Sequence, residues 1–257
     1  MNDRVKLQAS VPQEMHGSRL DQAAAELFSQ YSRSRLQEWI KKGALLVDGQ
    51  QCRPRDKVLS GADLRIDTEL EAAVGWQAQD IALDIVYEDD TILVVNKPAG
   101  LVVHPAAGHA EGTLVNALLA HAPELALLPR AGIVHRLDRM TSGLIVVTKD
   151  HLSHRLLSAD FQEGRPSKSY LALIEGEPDF EERVIDLAIG QRPGENSVLM
   201  SAKPGARRSR SARTDVVVRQ RCGNYSLVEC LLHTGRNHQI RVHLAEIGHP
   251  VVGDEYY

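Results

Sequence analysis

Along the first 66 positions apolar residues recur at helical spacing and then at strand spacing. Leu20, Ala23, Ala24, Leu27 and Phe28 fall on one face of a helix that Ser18 can cap. A second helix, opened by Ser32 or Ser34, turns Leu36, Trp39 and Ile40 inward and stops at Gly43. Leu45-Leu46-Val47 reads as a strand and Asp48-Gly49 as its turn. Lys57-Val58-Leu59 with Leu64-Arg65-Ile66 reads as the returning strand. Two short helices and a hairpin make one small module, residues 1–66.

Residues 67–80 are acidic, Ala-rich and aperiodic, as a linker would be. A second domain, 81–257, follows. Ile85-Val86-Tyr87 and Thr91 to Val95 read as strands around the Glu88-Asp89-Asp90 turn. Thr113 to His121 is a helix, Gly143 to Thr148 a strand, and His151 to Phe161 a helix. Ser169 to Glu175 and Tyr225 to Leu232 are strands. Asn237 to Ile247 is a last helix, with Ile240, His243, Leu244 and Ile247 inward and Gly248 as its stop. Strands and helices do not alternate regularly. The expected fold class is therefore α+β around a mixed, mostly antiparallel sheet.

Composition removes several classes. No apolar run approaches the ~20 residues that span a bilayer, so no membrane partner is expected. The N-terminus lacks a signal-peptide core, which makes the cytoplasm the default. Cys52, Cys222 and Cys230 form neither a disulfide framework nor a zinc knuckle. His151 and His154 have no third ligand at a recognisable spacing, so no metal is expected.

The net charge of -4 hides an uneven distribution. The first 66 residues carry 11 basic against 8 acidic side chains, residues 67–130 carry 2 against 10, and the remainder 17 against 16. Lys203 to Arg221 alone holds 7 basic residues and one acid, Asp215. Local positive faces are thus compatible with an acidic chain, although charge runs alone are equally solvated surface.

Two segments concentrate chemistry. Ala131 to Val147 holds His135, Arg136, Asp138 and Arg139 in a loop between two apolar strands. Thr234 to His243 places Arg241 beside the buried face of its helix. An arginine there needs a carboxylate, and Asp138 is a candidate.

The module's Arg19-Leu20-Asp21, Ser32-Arg33-Ser34-Arg35 and Lys42-Gly43…Val47-Asp48-Gly49 resemble an S4 RNA-binding domain. That resemblance implies that Arg33, Arg35, Lys41 and Lys42, with Arg53 and Arg55, meet RNA phosphates. An ordinary helical hairpin with a charged face is the alternative.

His135-Arg136-Leu137-Asp138…Thr141-Ser142-Gly143 resembles the motif of the RluA/RluD-type pseudouridine synthases. Asn96-Lys97-Pro98-Ala99-Gly100…Val103-His104-Pro105, Lys168-Ser169-Tyr170, Thr234 to Arg241 and Gly248 to Asp254 match further segments of that family. The resemblance runs from about Arg19 to the end of the chain.

It implies an isomerisation of uridine. The N1–C1′ bond breaks, the uracil turns, and C5 bonds to C1′, with no redox cofactor or metal required. Asp138 would act as nucleophile or as base. Arg241 would pair with it and hold it ionised. Tyr170 would pack on the uracil and help remove the C5 proton. Arg136 would fill the space left by the flipped base, and Ile240 would touch the base. The implied partner is ribosomal RNA of the large subunit, free or in a pre-50S particle, with no small-molecule cofactor.

By residue type alone Tyr170 is also a plausible core tyrosine. His135 is either a base or a structural member of its loop. Lys97 is either a phosphate contact or part of a plain turn. Asn237 stands where relatives often have Thr or Ser, and either type caps a helix. The chain ends at Tyr257 where relatives continue, so the catalytic domain is expected to be truncated, with a sheet edge left unpaired. A non-catalytic RNA-binding protein, a phosphotransferase and a two-carboxylate glycosidase are the competing readings. The phosphotransferase lacks a Gly-rich loop, and the glycosidase lacks a second acid near Asp138 in sequence.

Overall fold

The computed structural model describes residues 4–69, 76–105, 110–193 and 199–257. The chain falls into two compact units, Met1–Ala159 and Asp160–Tyr257.

The first unit opens with a strand that the sequence reading did not anticipate. In β1 (Arg4–Ser10) Val5, Leu7 and Ala9 alternate inward. Helices α1 (Leu20–Leu27) and α2 (Arg33–Lys42) follow, then β2 (Leu45–Val47) and β3 (Asp63–Glu69). The three strands form an antiparallel sheet in the order β1-β3-β2. Leu20, Leu36, Leu45 and Leu64 are fully buried beneath it, with Trp39 and Ile40.

The caps divide as follows. Ser32 caps α2, its hydroxyl accepting from the Arg35 amide at 3.3 Å, and Gly43 ends the helix at φ 75°. Ser18 does not cap α1, whose cap position is Arg19 with no side-chain bond. Asp48 and Gly49 both take positive φ, and the amides of Val47 and Gln50 bond each other's carbonyls at 2.9 Å, which makes a tight two-residue turn. The returning strand is β3, in which the expected Leu64-Arg65-Ile66 pairs with Leu45-Leu46-Val47, whereas Lys57-Val58-Leu59 offers only a single bridge from Lys57 to Arg19.

The expected linker, 67–80, is only partly described. Residues 67–69 belong to β3, and residues 70–75 lie outside the described residues. From Trp76 onward the chain is held down: buried Asn116 donates to the Gln77 carbonyl at 2.7 Å, and the Gln79 amide to the Asn116 carbonyl at 2.9 Å.

A second antiparallel sheet of this unit runs β4 (Ile85–Glu88), β5 (Ile92–Lys97), β6 (Gly143–Thr148). Asp89 shapes the β4–β5 turn, one carboxylate oxygen accepting from the Thr91 and Ile92 amides and the Thr91 hydroxyl. Leu93 and Val95 lie opposite Val147 and Ile145, all fully buried. Helix α3 (Leu114–His121) is buried on most sides, and α4 (His151–Glu163) runs across the division between units.

The chain before the Asp138 loop is not the expected strand. It is a 3-10 turn in which Arg130, Ala131 and Gly132 take successive left-handed conformations, after which Ile133 makes one bridge to Val147. Gly132 is obligatory there. A Cβ would lie 2.1 Å from the Thr148 carbonyl oxygen.

The second unit contains β7 (Ser169–Glu175), β8 (Glu182–Asp186), β9 (Ile189–Gln191), β10 (Met200–Ser201), β11 (Arg207–Arg210), β12 (Arg213–Cys222) and β13 (Tyr225–Leu232). They form a sheet β7-β13-β12-β8 and a smaller one β10-β9-β11, and α5 (Gln239–Glu246) packs on β12. Ile174, Ile185, Val216, Val228, Cys230 and Leu244 make the core. The fold is α+β as expected, and every strand pair among the described residues is antiparallel, in keeping with a mostly antiparallel sheet. No described helix is long and apolar enough to cross a membrane.

Candidate active site

The candidate residues lie on both units. Asp138 and Arg136 belong to the first, and Tyr170, Ile240 and Arg241 to the second.

Asp138 opens a turn, its carbonyl accepting from the Thr141 amide at 3.1 Å. Its side chain is half-buried, and within its unit no described residue donates a hydrogen bond to the carboxylate. The surrounding backbone, by contrast, is tied down from three sides. Fully buried Lys97, at the end of β5, donates from Nζ to the carbonyls of Pro98 at 2.7 Å, Leu101 at 3.0 Å and Arg139 at 3.1 Å. All three ammonium protons are therefore spent on backbone oxygens of the two loops. The Gly100 amide bonds the Arg139 carbonyl at 2.8 Å, and Arg139 Nε returns to the Gly100 carbonyl at 3.2 Å.

Burial pulls the Lys97 pKa down from its ordinary value, while the charge of Asp138 pushes it back up. Lys97 is thus neither a phosphate contact nor a bystander in a turn. It is an interior cation that laces the two loops together within electrostatic reach of Asp138. Sequence reasoning weighed Lys97 and missed this role. Its strand parity, inward after Leu93 and Val95, was the available signal.

His135 Nε2 accepts from the Val146 amide at 2.9 Å. That bond fixes the ring as a structural part of the loop, with its proton on Nδ1. Arg136 is exposed. Beside it His104 is held neutral: burial first, then the charges of Arg130 and Arg136, push its pKa down to about 4. His104 Nε2 is buried and has no hydrogen-bond partner among the described residues.

In the second unit Tyr170 lies opposite Cys230 in the sheet and shares the inward face of β7 with Ala172 and Ile174. Tyr170 and Ile240 are both half-buried and pack against the same apolar core. Arg241 follows Ile240 and is held by Asp254. Nε and Nη2 meet the two carboxylate oxygens at 2.5 and 2.8 Å. Asp254 is a partner that the sequence reading, which looked to Asp138, did not name. Burial alone would raise the Asp254 pKa, but Arg241 and the amides of Tyr256 and Tyr257 hold it below its ordinary value.

The segment leading into α5 is pinned by Gln239, nearly fully buried. Its carbonyl oxygen accepts from Thr234 Oγ1 at 2.7 Å and the Arg236 amide at 3.0 Å. Its NH2 donates to the Arg213 carbonyl and Thr214 Oγ1, both at 3.0 Å. The cap position of α5 is left-handed His238, not Asn237.

The basic residues of the small module separate into two kinds. Arg33 and Arg19 both grip the fully buried Asp21 carboxylate at 2.9 Å, with Gln37 at 2.6 Å. Arg35 donates to the Leu127 carbonyl at 3.1 Å and lies 3.4 Å from His151 Nε2. Arg19 and Arg33 hold the module together, and Arg35 ties it to the rest of its unit. Lys41, Lys42, Arg53 and Arg55 are exposed, with Lys42 also reaching Glu38 at 3.0 Å. No three His, Cys, Asp or Glu among the described residues are grouped to hold a metal.

One α+β chain thus carries a half-buried carboxylate on a laced loop and a small module of two helices and a three-stranded sheet. The chain matches the RNA pseudouridylate synthase family over residues 91–246 and the S4 domain over residues 18–64, and it belongs to the RNA pseudouridylate synthase family. It is 50% identical, over its whole length and 79% of that relative's, to "Ribosomal large subunit pseudouridine synthase D" of Pseudomonas aeruginosa. It is 47% identical to the protein of the same name from Neisseria meningitidis serogroup A, over 96% of this chain and 66% of that one. Among solved structures it is similar to "Human RNA Pseudouridylate Synthase Domain Containing 1", at TM-score 0.58 and 31% identity, over 70% of this chain and 71% of the other.

Proposed function

We propose that this protein isomerises specific uridines of large-subunit ribosomal RNA to pseudouridine, with Asp138 acting on the reacting nucleotide. The observation that carries the reading is the contrast at the loop. Its backbone is laced by Lys97 and its His135 ring is bonded, yet none of the described residues of its unit donates a hydrogen bond to the Asp138 carboxylate. A carboxylate on a backbone so held is suited to attack a sugar carbon or to accept a ribose proton. The names of the relatives support the substrate.

In this reading residues 1–66 hold the RNA through Lys41, Lys42, Arg53 and Arg55, and residues 81–257 carry the chemistry. Arg136 enters the stack that the uridine leaves, Tyr170 packs on the uracil, and Ile240 touches the base. Arg241 is oriented by Asp254. The reaction is an isomerisation whose atoms balance without a co-reactant, and it belongs in the cytoplasm, where ribosomal RNA is made.

The test is release of tritium from ribosomal RNA labelled at uracil C5. Release by the wild type and none by Asp138→Asn at matched RNA binding is expected. Equal release by both removes Asp138 from its role. Release by neither, with RNA still bound, supports a binding protein in place of an enzyme.

A further inference from the structure

The basic run of the second unit is not absorbed by the S4 module or by the candidate active site. Its seven cations divide sharply. Arg213 pairs with Asp215 at 3.2 Å, Arg221 with Glu181 at 2.8 Å, and Arg219 with Glu229. Those three brace the sheet. Lys203, Arg207, Arg208 and Arg210 are exposed, and none meets a carboxylate among the described residues.

Three of these four sit on β11, an outer strand of the sheet β10-β9-β11. The strand is shaped for its position. Arg207 pairs with Gln191 and Arg210 with Ile189, with an irregularity between them at left-handed Arg208. Gly190 permits it. A Cβ there would lie 2.6 Å from the Arg207 carbonyl oxygen and 3.0 Å from Ser209 Cα. A bulge on an edge strand redirects side chains and leaves one row of backbone amides unpaired. Guanidinium groups on a fixed backbone bind phosphate oxygens in pairs, which flexible lysines do not do. Like charges gathered along one short edge repel one another unless an anion lies against them. An acidic protein that must approach a polyanion needs such an edge.

We propose that Lys203 and the arginines of β11 form a second RNA-backbone contact surface, carried by the second unit and independent of the S4 module. The proposal rests on the reading of the protein as an RNA enzyme. Arg207 and Arg210 pair with Gln191 and Ile189, two residues apart on β9, so across the bulge they stand about 7 Å apart at ~3.3 Å per partner residue. The contact is with phosphates, so it positions the RNA without reading its sequence.

The test is equilibrium binding of the whole protein to a large-subunit ribosomal RNA transcript at several salt concentrations. Replacing Arg207, Arg208 and Arg210 together by Gln is expected to weaken binding at least tenfold at low salt. The slope of log affinity against log salt should become shallower by about two to three, at ~0.7–0.9 per phosphate contact. The triple replacement by Lys keeps the charge and is expected to restore most of the slope. Arg183→Gln, an exposed cation elsewhere in the unit, is the control for net charge and is expected to leave the slope as it is.

An unchanged slope in the Gln variant, or an equal change in Arg183→Gln, overturns the proposal. Should the triple variant lose its fold, Arg210→Gln alone is expected to reduce the slope by about one, and no change there overturns the proposal as well. Wild-type tritium release is read in parallel. A slope change without wild-type release would keep the surface and discard the enzymatic reading.

Discussion

Lys97 is the residue whose removal tests most of the argument at once. Lys97→Met keeps the length of the side chain in a fully buried slot but removes the ammonium. The carbonyls of Pro98, Leu101 and Arg139 then lose a donor that now meets them at 2.7, 3.0 and 3.1 Å. Each charge-assisted bond contributes ~1.5–3 kcal/mol, so three amount to roughly 5–9 kcal/mol. Against that, the ammonium no longer has to be desolvated, which returns several kcal/mol. The net expectation is a loss of about 2–4 kcal/mol, read as a lower urea midpoint with an unchanged m-value.

The effect on activity should exceed the effect on stability. The Arg139 carbonyl adjoins Asp138, and a displacement of ~1 Å in a reacting group costs about 100-fold. Under conditions where the variant is fully folded, tritium release at saturating RNA should fall 10- to 100-fold. Wild-type stability and activity in Lys97→Met would refute the reasoning. Lower stability with full activity would confine Lys97 to folding and separate Asp138 from the loop's rigidity.

Other outcomes follow from the same structure. Gly132→Ala should abolish soluble folded protein or lower stability by more than ~3 kcal/mol, because its Cβ meets the Thr148 carbonyl at 2.1 Å; near-normal thermal stability would contradict that. Asp21→Asn, which leaves Arg19 and Arg33 facing a neutral amide, should destabilise the first unit by about 3 kcal/mol in a denaturant titration. His151 packs at a tilt against Tyr31, and burial with the charges of Arg35 and His154 pushes its pKa down to about 4. Its unfolded form takes up a proton near pH 6.5 and its folded form does not, so stability is whole above that pH. Stability should then fall as pH drops from about 6.5 toward 4, at up to ~1.4 kcal/mol per pH unit for this group. His151→Phe should flatten that part of the profile, and an equally steep profile in the variant would exclude His151 as its source. Asp254→Asn should lower activity through Arg241 more than it lowers stability, and full activity would remove Asp254 from a positioning role.

Elements whose formation is dictated by their own residues were legible in the sequence. The inward faces of α2 and β7, the Ser32 cap and the Gly43 stop each follow from local spacing or backbone freedom. The strand β1 was legible too, since Val5, Leu7 and Ala9 alternate, but its partner β3 lies more than fifty residues away and nothing nearby signals the pairing. The return of β2 was legible at Leu64-Arg65-Ile66 but was drawn too early, because Lys57-Val58-Leu59 is apolar; those residues lie in an irregular stretch between the Asp48-Gly49 turn and β3. The segment before Asp138 looked like a strand because Ile133-Val134 is apolar. Three left-handed residues override that pattern, and only Gly132 among them advertises such a conformation.

The candidate site shows where sequence reading stops. The loop and the helix face draw attention to Asp138 and Arg241, and the family resemblance adds Tyr170 and gives all three their implied roles. They do not reveal what holds each group. Lys97 is bound to three carbonyls, Gln239 to two donors and two acceptors, and His135 to a backbone amide. Most of those partners are main-chain atoms, which are identical at every position and leave no mark in the sequence. A buried polar residue therefore announces that partners exist, since an unpaired one is costly, but their identity is a property of the fold. The same reasoning works in reverse for the arginines of β11. Where Arg213, Arg219 and Arg221 are matched by nearby carboxylates, a cation that meets none among the described residues is the position at which an external anion has the most to stabilise.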